Sequence, residues 1–216
     1  MSESDHIVYV VDDDPRVREA VRDLLSSSDF SVQTFGSAAE YLQGAKPDVP
    51  ACLILDVELP DINGLDLQQQ LADVQHPPIV FVTGHGSIPL SVRAMKDGAL
   101  DFLPKPFRPQ ELVTAVTSAL ERDRIARLTY AELTSLRKRY SSLTPREREV
   151  LPLVVSGLLN KQSAAQLGIS EVTLQIHRSQ VMHKMGAASL SDLVRMSGKL
   201  GIPVPTRAAA ARVPPR

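Results

Sequence analysis

Through the first half of the chain, short apolar runs alternate with stretches whose apolar residues recur at three- and four-residue spacing. The runs predict strands near 7–11, 31–35, 51–55, 78–82 and 100–103, and the stretches between them predict helices, as with Val17, Val21, Leu24 and Leu25. Five such βα units argue for a parallel sheet covered by helices on both faces. Right-handed crossovers then gather the functional loops at the carboxyl ends of the strands.

After residue 121 the strand pattern stops. Residues 122–140 lack Gly and Pro and place Ile125, Leu128, Leu136 and Tyr140 at near-helical intervals, with Leu143 just beyond, which predicts a helical linker. The apolar stripe could zip two chains together or pack on its own domains. Thr144-Pro145-Arg146-Glu147 then reads as a capping box opening a helix with Val150, Leu151, Val154 and Val155, which ends near Gly157. Asn160 is expected to cap a second helix that stops at Gly168, and Ser170 a third that stops at Gly186. Short helices joined through Gly168-Ile169-Ser170 suggest a helix-turn-helix. The expected division is therefore a first domain over 6–121, a linker over 122–140, a helical domain over 141–202, and a tail over 203–216 whose Ala, Pro and Arg composition predicts disorder.

Charge follows the same division. Residues 1–121 carry 8 Lys+Arg against 19 Asp+Glu, while residues 122–216 carry 16 against 6. An acidic half beside a basic half suggests one part that handles cations and another that meets a polyanion, most simply nucleic acid. Cys52, the single cysteine, sits inside an apolar run, so packing is expected of it and not redox chemistry. No segment approaches membrane-span length and the start of the chain has no signal-like apolar stretch, so a soluble, cytoplasmic protein is expected.

The chemistry sits at the strand ends. Ile7-Val8-Tyr9-Val10-Val11 runs into Asp12-Asp13, and Cys52-Leu53-Ile54-Leu55 runs into Asp56. If the two runs are neighbouring parallel strands, three carboxylates meet at one edge, where repulsion is costly unless a divalent cation offsets it. Asp56 is then the expected nucleophile toward a phosphoryl donor, with Asp12 and Asp13 holding the metal and the Lys105 ammonium and Thr83 hydroxyl meeting phosphoryl oxygens. Singly, each has a plainer role: Asp12 to Asp14 as a strand end capping a helix at Pro15, Thr83 as a turn residue, Lys105 as a surface lysine.

These residues carry a resemblance. Val11-Asp12-Asp13-Asp14, Leu55-Asp56-Val57-Glu58-Leu59-Pro60-Asp61-Ile62-Asn63-Gly64, Val82-Thr83-Gly84-His85-Gly86 and Phe102-Leu103-Pro104-Lys105-Pro106-Phe107 closely resemble the receiver domain of two-component response regulators. The resemblance implies a flavodoxin-like α/β fold of strand order 2-1-3-4-5. It also implies Mg2+ on Asp13, Asp56 and the Glu58 backbone carbonyl, a sensor histidine kinase as phosphoryl donor, and a cis bond before Pro106. Thr83 and Phe102 become the expected switch pair, remodelling a face that dimerises in the family. Glu58 and His85, each two residues past a site residue, are expected to flank the phosphoryl group and set its lifetime.

In the second half, Leu143-Thr144-x-Arg146-Glu147-x-Glu149-Val150-Leu151, Gly157, Asn160-Lys161, and Ile169-Ser170-x-x-Thr173-x-x-x-His177-Arg178-x-x-x-x-Lys184-Met185 resemble the LuxR-type DNA-binding domain of the NarL/FixJ class. The combination implies a transcriptional regulator and not an enzyme. Its expected partners are the kinase, promoter DNA, a second copy of the chain on phosphorylation, and RNA polymerase as a further candidate. On a helical wheel, Leu174, His177, Val181 and Met185 face inward, leaving Val172, Gln175, Ile176, Ser179 and His183 for the major groove. Gln175 suits an adenine edge and Ile176 a thymine methyl, while Lys161, Thr173 and Lys184 are expected at phosphates. Arg178 is open between a phosphate contact and a structural salt bridge.

Two departures stand out. Pro152 falls inside the first helix of this domain, where it should bend the axis, and Ser163 and Val172 stand where aliphatic and basic residues are common in the family. A recognition helix so poor in charge predicts weak binding as a monomer. Three other readings stay open on residues alone: a phosphatase built on Asp56-Val57-Glu58, a module that binds only proteins, and a flavin or nucleotide carrier lacking the usual Gly-rich loop.

Overall fold

The computed structural model describes residues 5–72, 74–84 and 87–203, and the chain separates into two compact units, one ending at Leu128 and the next beginning at Thr129. The first unit holds β1 (Ile7–Val11), α1 (Pro15–Ser26), β2 (Val32–Phe35), α2 (Ala38–Gln43), β3 (Ala51–Leu55), α3 (Gly64–Leu71), β4 (Ile79–Thr83), α4 (Ile88–Lys96) and β5 (Asp101–Pro104). All strand pairs are parallel and the order is β2-β1-β3-β4-β5, the flavodoxin-like arrangement expected. β3 and β4 are buried along their whole length, because helices cover both faces of the sheet. Alternate residues therefore feed two cores: Tyr9, Val11, Leu53, Leu55 and Phe81 on one face, Val8, Val10, Cys52, Ile54, Val80 and Val82 on the other. Cys52 is fully buried, and burial pushes its thiol pKa up, so it serves as packing.

The helix α5 (Pro109–Ser141) runs without a break through residues 122–140. Within the first unit, Asp123 is buried on α5 and its Oδ2 accepts from the Ala51 backbone N–H at 2.9 Å and from Arg127 Nε at 2.6 Å, which ties the helix to the start of β3. Ile125, Leu128 and Tyr130 on the same helix are exposed. No helix among the described residues is long and apolar enough to cross a membrane.

The second unit contains α6 (Pro145–Val155), α7 (Asn160–Leu167), α8 (Glu171–Met185) and α9 (Leu190–Lys199) around a core of Leu143, Val150, Leu151, Val154, Leu174, Val181, Met185 and Leu193. The capping box forms: Glu147 N–H donates to Thr144 Oγ1 at 3.3 Å and Thr144 N–H to Glu147 Oε2 at 2.8 Å. Pro152 sits within α6 without ending it. Gly168, at φ 64°, turns the chain between α7 and α8 in the left-handed region that favours glycine. One expected cap is corrected. Leu159 and not Asn160 precedes the first turn of α7; Gln162 Oε1 accepts from Leu159 N–H at 3.1 Å, and the Asn160 side chain accepts instead from Arg178 at 3.1 Å. The helix α9, unforeseen above, starts on Ser189, whose Oγ accepts from Asp192 N–H at 3.1 Å. Residues 204–216, read above as a disordered tail, lie outside the described residues.

Glu147 is buried, and burial alone would raise its pKa. The two hydrogen bonds from Lys184 Nζ, at 2.7 and 2.9 Å, and the Thr144 N–H outweigh that and hold it below the usual carboxylate value. A depressed carboxylate contributes stability above its unfolded pKa and loses it as pH falls through the folded value. Glu147→Gln should therefore cost the second unit about 1–2 kcal/mol at neutral pH. The difference from the parent should shrink below the ordinary carboxylate range, as checked by denaturant unfolding of the full chain at several pH values.

Candidate functional site

The acidic site is a consequence of strand register. β1 and β3 pair in parallel with Val11 opposite Leu55, and Asp56 N–H donates to the Val11 carbonyl at 2.9 Å, so the residues that follow each strand emerge side by side. β1 lies where the strand order reverses, between β2 and β3, and clefts in open α/β sheets form at that point. Asp12 and Asp56 are buried there and Asp13 is exposed; one carboxylate oxygen from each lies within 4.8 Å of the others. Thr83 ends β4 fully buried, and its carbonyl accepts from Lys105 N–H at 2.8 Å. Lys105 Nζ then reaches Asp12 Oδ2 at 2.6 Å and Asp56 Oδ2 at 2.7 Å. The Lys105–Pro106 peptide bond is cis.

The electrostatics are those of a site short of positive charge. Burial raises the Asp12 pKa, and the Lys105 hydrogen bond does not fully offset it, with the Asp56 charge adding to the rise. For Lys105 burial disfavours the ammonium, but the two carboxylates prevail and hold its pKa above the ordinary lysine value. One ammonium thus stands against three carboxylates. All three offer hard oxygen donors with no sulfur or imidazole among them, a set that fits Mg2+.

The loops are held from several sides. Arg18 on α1 donates to the carbonyls of Asp12 at 2.7 Å and Asp13 at 2.9 Å, and Asp14 caps α1 through Arg16 N–H at 2.9 Å. After β3, Glu58 N–H donates to Asp56 Oδ1 at 3.1 Å and Asn63 Oδ1 caps α3 through Leu65 N–H at 2.9 Å. Asp61 accepts from the first amides of α2, Ala39 at 2.8 Å and Ala38 at 3.3 Å. Gly64 packs so closely that a Cβ there would stand 2.2 Å from the Asp56 carbonyl oxygen. The anchoring roles of Arg18, Asp61 and Gly64 were not anticipated; the one visible signal for the last was its place eight residues after Asp56. Phe102 on β5 is half-buried against the Phe81 ring, 6.1 Å between centroids. The Glu58 side chain is exposed, and His85 lies outside the described residues.

In the second unit α8 divides as its spacing predicts. Leu174, Val181 and Met185 are buried, whereas Gln175, Ser179 and His183 are exposed, along with Val172 at 68% and Ile176 at 58%. His177 is half-buried and Lys161, on α7, is exposed. Thr173 Oγ1 is shared with Ser170 Oγ at 2.8 Å in the first turn of the helix. Lys184, expected at a phosphate, donates to the buried Glu147, and Arg178, left open between a phosphate contact and a salt bridge, donates to the Asn160 side chain and joins α8 to α7. Arg139, on the final turns of α5 within this unit, donates to the Met185 carbonyl at 3.0 Å and so closes the carboxyl end of α8.

A family model described as the response regulator receiver domain matches residues 8–117, and one described as bacterial regulatory proteins, luxR family, matches residues 141–197. The chain is 53% identical over 197 residues to nodulation protein W of Bradyrhizobium diazoefficiens, covering 91% of this chain and 87% of that one. It is 43% identical over 196 residues to the transcriptional regulatory protein FixJ of Azorhizobium caulinodans, covering 90% and 93%. Among solved structures, the response regulator StyR is similar with a TM-score of 0.81 and 45% identity, over 90% of this chain and 98% of that one.

Gly64→Ala should destabilise the first unit by about 1–3 kcal/mol, because backbone and not a flexible side chain must move. Gly84→Ala, where nothing lies within 4 Å of the added carbon, should have little effect on stability.

Proposed function

Because the chain belongs to the two-component response regulators of the NarL/FixJ class, with a receiver domain ahead of a LuxR-type DNA-binding domain, we propose that it accepts a phosphoryl group on Asp56 from a sensor histidine kinase and responds by binding promoter DNA. The observation that carries this reading is the meeting of Asp12, Asp13 and Asp56 with Lys105 and Thr83 at the carboxyl ends of β1, β3, β4 and β5.

In the transfer, a carboxylate oxygen of Asp56 attacks phosphorus, the bond from phosphorus to the donor imidazole nitrogen breaks, and an acyl phosphate forms. Glu58 N–H on Oδ1 and Lys105 on Oδ2 orient the carboxylate beforehand. Asp12, Asp13, Asp56 and the Glu58 backbone carbonyl would hold Mg2+, which supplies countercharge to the incoming phosphoryl oxygens. Lys105, released as the Asp56 carboxylate loses its charge on forming the mixed anhydride, meets a phosphoryl oxygen, and the Thr83 hydroxyl meets another. Movement of Thr83 makes room for Phe102 to turn inward, which remodels the surface beside β5 and favours a dimer.

Pairing of two chains compensates for a weak single reader. On the exposed face of α8, Gln175 and Ile176 supply base contacts and Ser179 lies beside them, with Lys161 and Thr173 directed to phosphates. Lys184, the third residue expected at a phosphate, is paired with Glu147 and contributes less to that inventory than Lys161 and Thr173. Two half-sites bound at once restore affinity. The Glu58 side chain and His85 adjust how long the phosphoryl group survives by ordering or excluding water.

Incubation of the full chain with acetyl phosphate and Mg2+ should add one phosphoryl group, mapped by mass spectrometry to Asp56 and lost in Asp56→Asn. A parent protein that stays unlabelled would sink the reading. On promoter DNA, Gln175→Ala should weaken specific binding about tenfold or more with an unchanged salt slope. Lys184→Ala should act through lower stability of the second unit and also leave the salt slope unchanged, as read by fluorescence anisotropy across a salt series.

A further inference from the structure

Away from the acidic pocket, beneath the amino-terminal end of β3, the first unit contains a cavity of about 200 Å³ whose walls include Tyr9, Pro47, Ala51, Pro77, Lys46 and Arg127. Ala51 opens β3 and Asp56 follows its last residue, so the sheet separates the two places by roughly 15 Å at the usual rise of a strand. Pro47, Ala51 and Pro77 give it an apolar wall, and Tyr9 brings an unmet donor to it. Tyr9 is 1% exposed, and its hydroxyl has no hydrogen-bond partner among the described residues. Buried polar groups are nearly always paired, so an orphan at a cavity wall points to something that completes it. Burial raises the phenol pKa against the pull of the Arg127 charge, which keeps the hydroxyl protonated and able to donate.

The two cations of the cavity differ in what they have left to give. Lys46 is spent: its Nζ donates to the Tyr41 carbonyl at 2.7 Å and the Gly44 carbonyl at 3.2 Å and lies over the Tyr41 ring. Arg127 is locked on one edge by the buried Asp123, but its other edge is occupied by Asp48, whose side chain is fully exposed at the rim. An ion pair with so exposed a carboxylate contributes little and is readily exchanged. Asp48 thereby shows which chemistry this edge accepts: a carboxylate oxygen on a guanidinium N–H.

We propose that this cavity binds a small carboxylate with an apolar ring or short apolar chain, its oxygens accepting from the outer edge of Arg127 in place of Asp48 and from the Tyr9 hydroxyl, its apolar part packed on Pro47, Ala51 and Pro77. The apolar wall sets such a ligand apart from an inorganic anion, for which Pro and Ala offer nothing. Asp48 acts as a tethered competitor, so removing its charge should open the site.

Benzoate is the probe, with inorganic phosphate as the contrasting anion. In an NMR titration of the isotope-labelled full chain, benzoate should give saturable shifts at Tyr9, Ala51 and Arg127, and it should raise the thermal midpoint. Asp48→Asn should tighten binding severalfold. Tyr9→Phe should weaken it about tenfold while raising the midpoint of the ligand-free protein, because a buried hydroxyl without a partner costs stability and its removal does not. Three results would overturn the proposal: no saturable shift with benzoate in either the parent or Asp48→Asn, phosphate binding as tightly as benzoate, or a ligand-free Tyr9→Phe less stable than the parent. The last would mean that the hydroxyl is already satisfied by ordered water.

Discussion

Three carboxylates gathered at one sheet edge repel one another, and the Lys105 ammonium, within 2.7 Å of both Asp12 and Asp56, is the contact that lets the two buried ones stand side by side. The charge balance of the pocket depends on it. Parallel register between β1 and β3 forces the residues after Val11 and Leu55 into adjacency whatever their charge. The loop after β5 must then return a cation to that spot, and the Lys105 N–H to Thr83 carbonyl bond fixes where it returns. Even so, the countercharge falls short, since the Asp12 pKa stays raised with Lys105 in place. The remaining demand for positive charge is what the proposed Mg2+ would meet, since a pocket fully neutralised by its own side chains would have no use for a divalent ion.

Much of this was legible before any coordinates. Apolar runs of strand length ending in Asp, Thr or Lys located the sheet and its functional edge, because a buried parallel strand needs continuous apolar residues and a charged one can appear only where it leaves the core. The strand ends differ from expectation by a residue at most, with Thr83 and Pro104 closing β4 and β5. What stayed illegible depends on partners distant in the chain. Nothing local to Lys184 announces Glu147, thirty-seven residues earlier, and nothing near Arg178 announces Asn160. Asn160 is a good capping residue by type, yet Leu159 holds the capping position, because Gln162 can satisfy the free backbone N–H and the Asn160 side chain has an arginine to meet. The unpaired hydroxyl of Tyr9 is likewise invisible in sequence, since it is defined by what fails to approach it.

The opposed charges of the two halves acquire separate explanations in the folded chain. Acidic excess in the first unit is partly local work: Asp12, Asp13 and Asp56 at the pocket, Asp14 and Asp61 at helix starts, Asp123 holding Ala51 and Arg127. Basic excess in the second is less available to a polyanion than the count suggests. Lys184, Arg139, Arg146, Arg178 and Lys199 are each bonded to protein groups within their own unit. A net charge read from sequence measures long-range attraction well and overstates the number of free contacts.

That distinction bears on how such a protein can be controlled. Had α8 carried several unpaired lysines, each copy would hold DNA by phosphate contacts alone, and pairing two copies would add little to regulation. Its exposed face instead includes Val172, Gln175, Ile176, Ser179 and His183, with no lysine or arginine among them, and the proposed reading gives these residues contacts with base edges. In the proposed function, affinity then comes from joining two readers, with the joining step under the command of the charge added at Asp56. The ion pair between the buried Glu147 and Lys184 fixes the position of α8 against α6 and keeps a positive charge of α8 engaged within the protein.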